Sequence, residues 1–331
     1  MNPNQPNTYS EADVLVLGAG PAGLAAAQHC RDVGLSVICL DKGRFPGGRL
    51  CTRSVGDARF DYGAQFFTAR TPDSASWVEA AKSSQQLAEW HTSLSPREPQ
   101  VPPRWIAAGG FRNLAQYWAQ GQVLTETQAA SMESASGHWL IHTTDQRTFV
   151  GRCLLITFPL PQALAFLDDH QLEPIPDELR AVYYHPCLAL MCRTSEPPPW
   201  TGWLEPAGSA AQTIAFVGDN QHKGVSAVPA LTVHCAPLFS AAHFAAPAEA
   251  ILRHAEAALG KLLPPVVECE VMRWRYSQTV NPVAGPFWPL MLHGQPPMAL
   301  AGDGFGRSRI ESAIGSGLAA ARWFLTQLGS S

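Results

Sequence analysis

Apolar residues come in short runs separated by turns rich in glycine and proline. The first run, Val14 to Leu17, stops at Gly18-Ala19-Gly20-Pro21-Ala22-Gly23. The small-residue segment after it, Leu24 to Cys30, reads as a helix, and a second apolar run, Val37 to Leu40, ends at Asp41. Strand, tight turn, helix and strand in that order predict a βαβ unit. Further strands are predicted at Val123–Thr127, Trp139–Thr143, Cys153–Thr157, Pro186–Arg193, Gln212–Asp219, Ala230–Cys235 and Met298–Ala301. Helices are predicted at Asn113–Ala119, Gln162–Leu167 and Ala246–Leu262, and from Ser308 to about Leu328. Trp77, Leu87 and Trp90 punctuate a helix-like stretch after residue 71, which Pro96, Pro99, Pro102 and Pro103 end. Residues 1–12 are polar and read as a disordered tail.

This order predicts an α/β protein. A Rossmann-like domain with a parallel sheet is expected to take residues 13–72, 103–161 and 266–331. A second, α+β domain with an antiparallel sheet is expected from residues 73–102 and 162–265. At 331 residues the chain has room for both.

Hydrophobic residues make up 46% of the chain and charged ones 15%, so a large core is expected. The net charge of −4 provides no basic footprint for nucleic acid. No apolar run is long enough for a membrane span, and the start lacks the pattern of a signal peptide. Eight cysteines without C-x-x-C spacing read as buried free thiols, which points to the cytoplasm. The histidines have no ligand-like spacing, so no metal is expected.

The glycine loop has a definite chemistry. Gly18 makes the turn after the strand, Gly20 lets backbone approach phosphate, and Gly23 lets the helix pack on the strand. The first helical turn presents free N–H groups and a partial charge of about +0.5 to an anion. Asp41, 23 residues after Gly18, is placed to bond ribose hydroxyls. Lys42, Arg44 and Gly47-Gly48-Arg49 follow in a loop. Arg49 there is either a pyrophosphate ligand or a surface arginine, and Arg44 either lies by the adenosine or does not. Phe60 to Thr68 reads equally as an ordinary buried strand or as backbone laid against a flat ring. Near the C-terminus, Met298–Ala301 runs into Gly302-Asp303, and Ser308 and Glu311 match a capping box. Asp303 suits a polyol chain, and a helix N-terminus suits the negative charge of a reduced flavin. NAD has neither feature, so FAD is the expected cofactor.

Gly18-x-Gly20-x-x-Gly23, Asp41, Gly47-Gly48-Arg49 and Ala301-Gly302-Asp303 together resemble the flavin-containing amine oxidase superfamily. Asp61-Tyr62-Gly63-Ala64-Gln65-Phe66-Phe67-Thr68-Ala69-Arg70 and Trp274-Arg275-Tyr276 are most similar to its renalase branch. The resemblance implies a glutathione-reductase type of FAD domain. It implies that the Ala22 backbone and Arg49 meet the pyrophosphate, that Asp41 holds ribose and that the Ala129 backbone meets adenine. Gly63, Ala64 and Gln65 would lie by the isoalloxazine, Asp303 would bind ribitol, and the Ile310 N–H would face flavin O2. Amine oxidases often carry a lysine on a substrate-domain strand. Lys42, Lys82, Lys223 and Lys261 are all outside predicted strands, and His185 to Cys187 stands in the approximate place. Asn281 to Phe287 contains no cysteine to attach a flavin, so FAD is expected to be non-covalent.

Renalases are understood to oxidise 2- and 6-dihydro isomers of NAD(P)H, with O2 as the final acceptor. Tyr62, Phe67, His185, Trp274 and Tyr276 are the candidate walls for such a substrate, with plain core packing as the other reading. Arg70 and Arg104 are candidates for its phosphates. Two further functions fit the same motifs: oxidation of amines, and non-catalytic binding of the kind seen in GDP-dissociation inhibitors.

Overall fold

A computed structural model describes residues 9–92, 102–170 and 175–329. Pro96 and Pro99 and most of the expected tail lie outside them. Contacts divide the chain into two units, 1–48 with 115–183 and 281–331, and 49–114 with 184–280. The division falls elsewhere than the sequence boundaries. Residues 49–72 and 103–114 join the second unit, as does 266–280, whereas 162–183 stays with the first.

The first unit is built on a mixed sheet. Tyr9–Leu17 lies at its centre, parallel to both Val37–Leu40 and Thr148–Ile156. Met298–Leu300 continues the parallel order beyond Ile156, and Trp288–Leu290 closes that edge antiparallel. Val14 to Leu17 and Cys153 to Ile156 are wholly buried, as expected of strands covered on both faces. Residues 9–12 are not a tail. They pair with Thr148 to Gly151, because backbone ladder bonds do not require apolar side chains. The expected strand Val123–Thr127 shortens to Val123–Leu124, and a second one, Ala129–Ala135, follows.

Two helices of this unit meet at glycine. Pro21–Asp32 begins with a proline at its first turn, where no N–H is needed. Ile310–Leu328 crosses it at Gly317, where a Cβ would overlap the carbonyl oxygen of Ala22. The small residues of the last helix thus permit backbone-to-backbone approach.

The second unit holds a five-stranded antiparallel sheet. Its order is Trp203–Leu204, Ile214–Asp219, Ala230–Cys235, Tyr184–Thr194 and Val266–Thr279. The helix Ala248–Leu259 supplies Ile251, Ala255 and Leu259 to its core, against Leu188, Leu190, Val233 and Trp200. Trp274 to Tyr276 therefore sits within a 14-residue edge strand, which its polar residues on both faces had concealed. Leu87–Trp90 is also a strand, paired with Arg104–Ala107, so the helix-like stretch ends at Ser83.

The hairpin Thr52–Val55/Ala58–Asp61 ends on a buried carboxylate. Asp61 Oδ1 accepts from Thr52 Oγ1 at 2.6 Å and from the Phe111 N–H at 2.9 Å. Its backbone N–H donates to Asn220 Oδ1, and its carbonyl accepts from Thr232 Oγ1. Lys223 Nζ lies 3.7 Å from Asp61 Oδ2, with both side chains fully buried. Burial pushes the Asp61 carboxyl up and the Lys223 ammonium down to about 8, while each charge opposes that shift in the other. These bonds explain why 49–114 belongs with the second unit.

Gly317→Val should destabilise the fold by about 3 kcal/mol, because neither backbone can retreat; thermal unfolding reads the loss. Lys223→Met should cost about 3–5 kcal/mol by leaving Asp61 buried without its cation. Adding Asp61→Asn should recover part of that loss, and additive costs in the double-mutant cycle would contradict the pairing.

Candidate active site

In the first unit the glycines form a cradle. Gly18 has φ +105°, which favours glycine, and Thr157 Oγ1 donates to the Leu17 and Gly18 carbonyls. A Cβ on Gly23 would overlap the Gly18 carbonyl oxygen. Above Gly20, by contrast, nothing lies within 4 Å of where a Cβ would be. The Gly47 N–H donates to the Ala19 carbonyl at 2.7 Å, and Gly48, at φ +56°, approaches Gly20 Cα. The glycine pair is thereby tied to the fingerprint. Open space over Gly20, beside the unpaired N–H groups of the helix start, suits a pyrophosphate.

Asp41 follows the second strand. Its Oδ2 accepts from the Ala19 N–H at 2.6 Å and its Oδ1 from the Gly43 N–H at 2.7 Å. Burial raises its pKa and these two bonds oppose the rise. The carboxylate is aimed by backbone and keeps lone pairs for ribose hydroxyls. Lys42 and Arg44 are exposed, and the Arg44 guanidinium lies over Phe45. Ala129 opens its strand opposite Thr143.

At the other end of this unit, Gly302 has φ +138° and its N–H donates to Ser316 Oγ at 2.8 Å. Asp303 is buried and accepts from Ser308 Oγ at 3.1 Å. The expected capping box is absent. Ser308 has turned to Asp303, the helix starts at Ile310 after Arg309, and no side chain caps it. The Ile310 N–H accordingly belongs to a helix start without a side-chain cap. Glu311 is buried with Arg309 Nη1 3.4 Å away.

In the second unit the Asp61–Gln65 turn is held from several sides. A Cβ on Gly63 would overlap the Arg49 carbonyl oxygen, and the Ala64 N–H donates to that same carbonyl at 3.0 Å. Gln65 is buried, and its amide is fully engaged. Nε2 donates to the Asp61 and Gly63 carbonyls at 2.6 and 3.2 Å, and Oε1 accepts from Lys223 Nζ at 2.7 Å. The Gln65 side chain therefore braces the turn, and backbone is what the turn can offer a ring. Arg49 Nη1 donates to the Tyr276 and Ser277 carbonyls, which anchors its guanidinium to the edge strand.

Tyr62 and Trp274 stack at 5.6 Å with 16° between their planes, and Trp274 Nε1 donates to the Tyr62 carbonyl at 2.9 Å. Tyr276 meets Tyr184 edge-on at 5.8 Å. His185 stands beside a bulge in the strand Tyr184–Thr194. Phe67 separates from these. It is buried edge-on to Phe111, an arrangement that fits the core-packing reading. Arg104 lies over the rings of Phe66 and Trp203, its Nη2 pairs with Glu205 Oε1 at 2.7 Å, and its Nη1 is buried without a hydrogen-bond partner. Arg70 is exposed.

Two residues escaped the sequence reading. Lys223 follows the strand Ile214–Asp219 in a polar turn, Asn220-Gln221-His222-Lys223, which reads as surface. Its burial comes from partners about 160 positions away. His234 alternates into a buried strand, and its Nε2 is buried without a hydrogen-bond partner. Burial first and then the Lys223 charge push His234 down to about 4, so the ring is neutral near pH 7. Among the described residues no cluster could hold a metal ion. No helix among them is long and apolar enough to cross a membrane.

Comparisons with known proteins agree with this geometry. Residues 16–81 match the NAD(P)-binding Rossmann-like domain, and residues 75–323 match the flavin containing amine oxidoreductase family. Mouse (Mus musculus) renalase is 24% identical over 92% of this chain and 96% of its own. Thioredoxin reductase of Ureaplasma parvum is 50% identical over 42 residues, and the match spans 13% of each chain. Putrescine oxidase crystallised with putrescine has the same fold, with a TM-score of 0.70 at 13% identity over 96% of this chain and all of the other. The cradle, the Asp41 carboxylate and the Gly302-Asp303 turn suit the two ends of one dinucleotide, and with the family match they establish that the chain belongs to the flavin-containing amine oxidoreductases, with FAD as cofactor.

Proposed function

We propose that this protein is an oxidase of dihydronicotinamide isomers, the 2- and 6-dihydro forms of NAD(P), which it returns to NAD(P)+. The observation that carries this reading is the Tyr62–Trp274 stack, tied by its indole N–H to the backbone next to Gly63. A flat, apolar wall of that kind suits a planar ring better than a flexible aliphatic amine. Such a ring gives up hydride without first losing a proton, so the site needs placement more than a strong base. The buried lysine of this unit agrees, because Lys223 is spent on Gln65 and Asp61. Likeness to mouse renalase along nearly the whole chain supports the same reading.

FAD, when bound, supplies the two-electron acceptor, and O2 restores it with formation of hydrogen peroxide. The chain's own residues position the reactants. Ala22 and Gly23 N–H groups and Arg49 bind the pyrophosphate, Asp41 the ribose and Ala129 the adenine. Asp303 takes the ribityl chain, and the Ile310 N–H stabilises charge at flavin O2. Gly63 and Ala64 offer backbone to the ring, with Gln65 bracing them. Tyr62, Trp274, Tyr276 and His185 form the substrate wall. The cofactor is held non-covalently, and the eight free thiols support a reducing, cytoplasmic setting.

Anaerobic mixing with 2- or 6-dihydro-NAD(P) should bleach the flavin within seconds. Bleaching by a polyamine, and by neither isomer, would overturn the proposal and make the chain an amine oxidase. Gly20→Val should fold normally, since its side chain enters open space, yet purify without flavin. A yellow variant with full FAD content would refute the cradle.

A further inference from the structure

Cys192 and Cys269 stand directly opposite each other on the paired antiparallel strands Tyr184–Thr194 and Val266–Thr279. Their sulfur atoms are 3.3 Å apart. Opposed residues of antiparallel strands have Cα atoms about 4.5–5.5 Å apart, inside the span that a disulfide takes. Only side-chain rotation is then needed to close the remaining gap. We infer that this pair is a redox modification site, at which an oxidant such as hydrogen peroxide forms a reversible cross-strand disulfide that staples the two strands.

The two thiols are unequal. Cys192 is wholly buried in the apolar core with Trp200, Ile251 and Leu259. Cys269 lies on the outer strand and is partly exposed, so it meets the oxidant first. Peroxide oxidises the Cys269 thiol to sulfenic acid and is reduced to water. The Cys192 sulfur then attacks the Cys269 sulfur, the S–O bond breaks, and hydroxide leaves with the Cys192 proton as a second water. Hydrogen bonding to Cys269, followed by burial, holds the Cys192 thiol well above its ordinary pKa. Closure is accordingly slow, and the reduced pair persists in a reducing compartment.

The consequence is mechanical. The bridge would join residues 77 positions apart, which strongly restricts the unfolded chain. It would also clamp the strand that carries Trp274 and Tyr276 to the one that carries His185. Native protein treated with peroxide, alkylated and digested with trypsin should yield peptide 181–193 joined to 262–273, with Cys187 alkylated. Dithiothreitol should release the link. Oxidation should raise the melting temperature by about 5 °C, and Cys269→Ser should show neither the link nor the rise. Full alkylation of both thiols after peroxide, a link that persists in Cys192→Ser, or a link without a thermal shift would each overturn the inference.

Discussion

The first unit depends on one approach distance. The Gly18 carbonyl oxygen occupies the place that a side chain on Gly23 would fill. That contact lets the helix Pro21–Asp32 start immediately beside the end of the central strand. The helix N-terminus then opens onto the space over Gly20, and the Gly47-Gly48 loop can reach Ala19. The same device recurs where Gly317 meets Ala22, so the first and last helices pack backbone to backbone. Glycine costs conformational entropy at each place and provides an approach that no other residue permits.

The second unit turns on a buried charge. Asp61 gathers bonds from Thr52 on its own hairpin, from Phe111 and from the turn that carries Asn220 and Lys223, three segments of the chain. A carboxylate taken out of water is costly, and a paired ammonium with oriented donors offsets that cost. Because Lys223 also holds Gln65, the charge pair and the Gly63–Ala64 backbone form one rigid body of bonds.

The candidate site was legible in the sequence where it uses a special backbone. Gly18, Gly20, Gly23, Asp41 and Gly302-Asp303 are local signatures, and their geometry follows from a strand meeting a tight turn. Residues whose value comes from remote partners were not legible. Lys223 looks like a turn lysine, Phe67 like a substrate wall or a core residue, and Arg104 like a phosphate ligand. Their neighbours, Gln65, Phe111 and Trp203, come from other parts of the chain.

By itself, the sequence determined that a dinucleotide cradle lies near residue 18, that an α/β layer surrounds it and that an antiparallel sheet lies in a later segment; that the first sheet is mixed came from the antiparallel pairing of Trp288–Leu290 and His138–Thr143. Periodicity and glycine spacing act over a few residues, so they survive without tertiary context. Only the tertiary structure decided which segments share a unit, that residues 9–12 and 266–279 are strands, that Ser308 serves Asp303 instead of capping a helix and that Lys223 is buried. Each of these rests on a partner distant in sequence or on competition between two partners for one group. Local patterns carry no record of either.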